Sequence, residues 1–399
     1  MMHKETVTIT KPTPKKIMKT PPRNILVAAT AAVVVLIAGY LVTSSHAATY
    51  FAATEAEGST LTGNAQKVSD TGASGGQAVQ FNAPAAPPPG GGGGGGTTPP
   101  TGSTTCPLPK YPTPACTGVP SGTVLSAYTG PETITTAGTV IDGKHVTGDL
   151  IIKADTTIKN SQVDGTIHKE DSGGVTLVVQ DTTVGPASGC VIGPALDTGN
   201  DTGNYTATRL YVRNHDDAYR AGGPNITIQD SYAKMCGVGA SQSPPDGSHS
   251  DGVQDYPATY NLTINHSTFD ECGNWTTPPT SQATCVQIGQ NGPIFIASNP
   301  TRGSQYGSTN VTISNNLVLG GANGIWTYPW LTYNLTGGHN PGVWKIFGNR
   351  VVNNTQAYAA YESEGQCGNV AQWSDNTTVT IDANYNITST VATKACGQD

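Results

Sequence analysis

From residue 157 onward the chain repeats one short phrase: apolar and small polar residues alternate, end on Ile or Val, and give way to a corner of Asn, Asp or Ser. Examples are Thr157-Ile158-Lys159-Asn160-Ser161, Asn225-Ile226-Thr227-Ile228-Gln229-Asp230-Ser231, Asn261-Leu262-Thr263-Ile264-Asn265-His266-Ser267 and Asn310-Val311-Thr312-Ile313-Ser314-Asn315-Asn316. Alternation with period two is the mark of a strand with one face buried, and the corner residues are those that turn a chain. Eight copies place their apolar anchors at 158, 179, 212, 228, 264, 313, 346 and 381. Their uneven spacing fits loops of different length between stacked strands. A weaker series lies between them: Asp217-Ala218-Tyr219-Arg220, Asp251-Gly252-Val253-Gln254, Thr284-Cys285-Val286-Gln287 and Asn323-Gly324-Ile325-Trp326. Two interleaved series predict coils of two strands each, stacked in parallel about 4.8 Å apart.

The first hundred residues follow other patterns. Residues 1–23 form a basic tail, and 24–43 contain the apolar run Ile25 to Val42. That run is read either as a signal peptide, cut after Ser45-His46-Ala47, or as a retained transmembrane anchor with its basic end inside. Both readings export the remainder, to the cell surface or beyond. Residues 48–83 resemble the opening strands of β-sandwich carbohydrate-binding modules that begin Glu-Ala-Glu, here Glu55-Ala56-Glu57. So short a piece cannot bury a core, which makes it a spacer. Residues 84–105, with PAAPPPGGGGGGGTTPP, are a disordered linker, and 106–399 form the main domain.

Composition agrees with an all-β chain: 49 glycines, 28 prolines and 12% charged residues leave little room for long amphipathic helices. Beyond the basic tail stand 14 basic and 26 acidic residues, a balance that argues against nucleic acid as partner. All eight cysteines follow the apolar run, as an oxidising compartment allows, and Cys106 and Cys116 are spaced to close a small loop.

The Asn-(Ile/Leu/Val)-Thr-Ile phrase, together with Asp251-Gly252-Val253-Gln254 after Ser248-His249-Ser250, resembles the right-handed parallel β-helix proteins of the pectate-lyase-like superfamily. The resemblance runs from about Cys106 to the C-terminus and implies a solenoid, here expected as a monomer. It implies less about chemistry, since such proteins include lyases, hydrolases, epimerases and non-enzymatic spikes.

Taking Tyr219, Val253, Val286 and Ile325 as inward puts Arg220, Gln254, Gln287 and Trp326 in one outward column. Asp217 and Asp251 then fall roughly 5 Å apart on neighbouring coils, where mutual repulsion raises one pKa and yields an acid and a base. That separation is near the one retaining glycosidases use, and Asp216 would allow the wider inverting pair. Asp216-Asp217 and Ser250-Asp251-Gly252 are similar to carboxylate motifs of polygalacturonase-type hydrolases, but in reversed order and without the Gly-His-Gly and Arg-x-Lys elements. For a lyase, Asp216, Asp217, Asp246 and Asp251 would hold Ca²⁺, and Arg220, His249 or His215 would be the base. The resemblance favours Arg220, since the base in such lyases is often an arginine on the strand face. The plainer alternative for Asp251-Gly252 is turn chemistry, with Asp capping a backbone group and Gly at positive φ.

Aromatic residues point to a sugar. Alternation through WTYPW sets Trp326, Tyr328 and Trp330 on the outer face, Tyr256 and Trp275 extend the platform, and pyranose C–H faces stack on such rings. Asn-x-Thr triplets such as Asn225-Ile226-Thr227 match glycosylation sequons but follow the repeat, so strand starts explain them better. The expectation is an exported β-helix that binds and cleaves an acidic polysaccharide, with lyase ahead of hydrolase. The alternative is an adhesin that only binds.

Overall fold

The computed structural model describes residues 65–69, 77–81, 105–170, 174–199, 202–237, 249–255, 258–285, 291–297, 307–330, 332–335, 338–341 and 343–397. The chain divides into two units, 1–95 and 96–399. In the first, Ala65–Ser69 pairs antiparallel with Gln77–Phe81, which puts one hairpin in the expected spacer. The apolar run at 25–42 lies outside the described residues, and among these no helix is long and apolar enough to cross a membrane.

The second unit is a parallel β-helix. Its coils carry three strands, not the two expected, and among the described residues the strands align in two sheets of nine and one of eleven. One coil runs Gly223–Gln229 in sheet 1, Tyr232–Lys234 in sheet 2 and Val253–Gln254 in sheet 3. The next runs Thr259–Asn265, Thr268–Asp270 and Ile294–Ile296. Sheet 2 was hidden because its short strands start directly after the polar corner and read as its continuation. Two of the eight anchors, Val212 and Ile381, therefore belong to sheet 2, while Ala207 of Tyr205–Thr208 fills the sheet-1 position between Val179 and Ile228.

Thr284-Cys285 is no strand either. It ends the four-residue helix Gln282–Cys285, and Ile294–Ile296 supplies the sheet-3 strand of that coil. The local cause is visible: Ser281 and Thr284 bond reciprocally, Thr284 N donating to Ser281 Oγ at 3.2 Å and Ser281 N to Thr284 Oγ1 at 2.9 Å. The disulfide Cys272–Cys285 then ties this turn back to the end of the preceding sheet-2 strand.

Inward residues of all three sheets stack into one core, with Ile158, Val179, Ile228, Ile264, Ile313 and Ile346 from sheet 1, Val212 and Phe269 from sheet 2, and Tyr219, Val253, Ile294 and Ile325 from sheet 3. At the corner between sheets 1 and 2 the chain takes left-handed φ at Asn160, Asp181, Asp230 and Asn315, with values of 49°, 49°, 53° and 56°. Asn and Asp tolerate this region best among side-chain-bearing residues, which accounts for the repeated polar corner. The following residue points inward and serves the neighbouring coil: Ser231 N donates to Ser267 Oγ at 3.2 Å, Ser267 N to Asn316 Oδ1 at 3.0 Å and Asn316 N to Asn349 Oδ1 at 3.1 Å. Asn204, Asn225 and Asn261 also hold left-handed φ at strand starts, and Asn225 and Asn261 each donate to the preceding one at 2.9 and 2.8 Å. The sequon asparagines are thus backbone devices.

Four disulfides pair all eight cysteines: Cys106–Cys116, Cys190–Cys236, Cys272–Cys285 and Cys367–Cys396. On part of the outer face of sheet 2, Leu317, Leu319, Val352 and Val379 cluster with Tyr111, and Trp275, Tyr385 and Ile387 pack against them. The strand Ile387–Thr393 pairs antiparallel with Thr377–Ile381 and forms that end of sheet 2.

Candidate functional site

The outer face of sheet 3 carries the outward column. Its register aligns His168 with Asp197, Arg220 with Gln254, Gln254 with Phe295, Phe295 with Trp326 and Trp326 with Glu362. Phe295 thus holds the place expected for Gln287, because the strand of that coil comes later in the chain than the sequence suggested. Gln287, Tyr256 and Asp246 lie outside the described residues.

The rings form two pairs. Phe295 and Trp326 have centroids 4.8 Å apart and tilted by 51°, and Tyr328 and Trp330 are 5.9 Å apart and nearly parallel at 23°. Buried and half-buried residues alternate from Ile325 to Trp330, so Pro329 does not break the pattern. Trp326 is held by its indole N–H, which donates to Glu364 Oε1 at 2.9 Å. Trp330 lies over Gly307, where a Cβ would come within 2.6 Å of the ring. Toward the other end, His168 and Asp197 pair at 3.5 Å, and the Asp197 hydrogen bond holds the imidazole pKa above its ordinary value.

At the corner leading into sheet 3, Asp217 and Asp251 are neighbours as expected. The Asp251 N–H donates to Asp217 Oδ1 at 2.9 Å. Asp251 does not face outward, however: it is 0% exposed, and its carboxylate accepts from Gly292 N at 3.3 Å and Asn291 Nδ2 at 3.2 Å on the next coil. Parity explains this, because a residue two before the inward Val253 points to the same side of the strand. Asn323 does the same two coils further on, its Oδ1 accepting from Ala359 N at 3.1 Å. The column is therefore a capping ladder between coils. Gly252 is required by close approach, since a Cβ there would sit 2.1 Å from Pro293 O; its φ is not among the positive ones, contrary to the turn expected.

Burial and charge crowding set the electrostatics. Asp217 is only half-buried by its surface, yet its carboxyl is pushed up to about 7, by desolvation first and by the Asp216 carboxylate second. Asp251 is raised well above the ordinary range by burial and then by Asp217. Asp216, raised by burial, accepts from Gly193 N at 2.5 Å and from Asp217 N at 2.9 Å. Glu271 was not singled out in the sequence. It is 1% exposed, and burial followed by the Asp251 and Asp217 charges lifts its pKa well above normal, against a smaller lowering by the Gly252 backbone N–H. Its only sequence signal was an acidic pair, Asp270-Glu271, at a strand end.

Arg220 lies half-buried in the outward column and lowers the Asp217 pKa by its charge. His249 is exposed. His215 is fully buried, bonds Gly193 O at 3.0 Å and has its pKa lowered by desolvation, as corner packing would have it. Of the calcium set, Asp246 lies outside the described residues, and the other three carboxylates are already engaged. Donors from backbone and amide groups already point at the oxygens of Asp216, Asp217 and Asp251, and among the described residues no three His, Cys, Asp or Glu side chains are grouped to hold a metal ion.

These features define a class, the parallel β-helix with an aromatic strip on one sheet face. Compared with protein-family models, curated proteins and solved structures, the chain matches none.

Proposed function

We propose that the protein is an exported, right-handed parallel β-helix of the pectate-lyase-like kind that binds an acidic polysaccharide along the outer face of sheet 3. The observation that carries this reading is the two ring pairs, Phe295 with Trp326 and Tyr328 with Trp330, in line with Gln254 and Arg220. Sugar C–H faces stack on such rings, the amide takes hydroxyl groups, and the guanidinium takes a carboxylate. Four disulfides suit an exported chain, by cleavage or with residues 24–43 retained as anchor.

A second reading, cleavage of the same polymer, is favoured by Asp217, whose carboxyl changes protonation near neutral pH beside Asp216 and close to Arg220. Asp217 is the proton donor in this reading, Arg220 binds the uronate carboxylate, and Asp251 positions Asp217 through its backbone N–H. No step runs through calcium.

The test is a panel of uronate-bearing and neutral polysaccharides scored for binding and for new reducing or unsaturated ends, with Trp326→Ala and Asp217→Asn. Loss of binding in Trp326→Ala by about tenfold or more supports the face. Product that disappears in Asp217→Asn while binding persists supports cleavage; binding without product in either protein supports the adhesin. Undiminished binding in Trp326→Ala removes the reading.

A further inference from the structure

The exposed part of the outer face of sheet 2 holds an arrangement that the sheet-3 reading does not use. Arg213 and Lys234 stand directly opposite each other on adjacent coils, about 4.8 Å apart in the strand-stacking direction. Like charges in that position repel, so each needs compensation. Lys234 has it: its ammonium bonds Asp270 Oδ2 at 2.8 Å, Cys272 O at 2.6 Å and Gly273 O at 3.1 Å. Arg213 does not. Its Nε donates to Gly185 O at 3.2 Å, its guanidinium carbon lies 5.8 Å from the Tyr211 ring centre, and its two terminal nitrogens meet no acceptor among the described residues.

A guanidinium fixed at Nε and backed by a ring presents its terminal N–H groups as a rigid fork, the geometry that matches a carboxylate or sulfate. The half-buried Tyr211 ring packs on the buried Tyr232 at 5.6 Å between centroids, and Tyr232 in turn on Tyr385, so the ring behind the guanidinium is itself supported.

We propose that Arg213, held at Nε by Gly185 O and backed by the Tyr211 ring, forms an anion subsite on sheet 2 for the acidic group of a carboxylated or sulfated saccharide. It lies on another sheet from the aromatic strip and does not depend on it.

The full chain is titrated with dextran sulfate, polygalacturonate and neutral dextran, as wild type and as Arg213→Gln, Arg213→Lys, Trp326→Ala and the remote Lys394→Gln. The expected result is binding of at least one anionic polymer, weakened about tenfold or more in Arg213→Gln, partly restored in Arg213→Lys and unchanged in Lys394→Gln. Which polymer responds identifies sulfate or carboxylate. Unchanged melting of Arg213→Lys separates a binding defect from misfolding. The inference is overturned if neither anionic polymer binds, if Arg213→Gln binds as wild type does, or if Lys394→Gln weakens binding equally. Loss in Arg213→Gln with full binding in Trp326→Ala leaves the anion subsite standing and removes the sheet-3 reading.

Discussion

The corner between sheets 1 and 2 and the corner before sheet 3 solve the same problem with different chemistry. Both must satisfy backbone groups where the chain turns away from one sheet toward the next. The first uses neutral side chains, Ser231, Ser267, Asn316, Asn349 and Asn376, each bonded to its neighbours and all buried. The second uses Asp217 and Asp251, and the buried Glu271 adds a third carboxyl. Neutral ladders cost nothing in charge burial, whereas carboxylates out of water repel one another and hold their protons. The first corner is therefore expected to stabilise the coil at any pH, and the second only where its carboxyls are protonated.

The largest effect should come from breaking the neutral ladder. Asn349 accepts from Asn316 N and donates to Ile313 O and Asn376 Oδ1, so Asn349→Leu leaves several buried groups unpaired. A loss of about 3 kcal/mol or more in denaturant unfolding is expected, at every pH. A loss under about 1 kcal/mol would remove the distinction between the corners.

Next comes the pH dependence of the carboxylate corner. Folding raises the pKa values of Asp217, Asp251 and Glu271, so their contribution is fully present below the unfolded carboxylate value and is lost as pH rises. For Asp217 the window runs from its ordinary 3.8 to about 7. His215, with its lowered pKa, acts in the opposite sense as pH falls through its ordinary 6.5. Thermal melts between pH 4 and 8 should fall across the acidic-to-neutral range in wild type. In Glu271→Gln the fall should shrink, with a higher midpoint at pH 8 by several degrees. A wild-type midpoint that rises from pH 5 to 8 would contradict the assignment.

The smallest effect belongs to Asp251→Asn. The amide oxygen still accepts from Gly292 N, while its NH2 takes the place of the oxygen that accepted from Asn291 Nδ2, so the midpoint at pH 8 should move less than in Glu271→Gln and polysaccharide binding should not change. Weaker binding in this variant would mean that the buried carboxylate shapes the outer face.

Much of the fold was legible in the residues. Six of the eight repeated phrases fall in sheet 1, since period-two alternation and left-handed corner residues are local properties of the chain. Sheet 2 was missed because strands as short as Tyr232–Lys234 carry too few alternations to register. The aromatic strip was half legible: Trp326 and Tyr328 stood out, but Phe295 did not, because a loop of unknown length separates it from the preceding strand.

The sequence by itself determined that strands would stack, which residues would turn them, and that positions 217 and 251 would meet. Those results follow from alternation, backbone preference and composition, all of which act over a few residues. Only the tertiary structure decided that the coil has three sides, that Asp251 caps the next coil instead of facing solvent, that Glu271 joins it, and that Arg213 stands over Lys234. Such outcomes depend on which coil lies above which, and loop lengths set that alignment without leaving a pattern in the residues themselves.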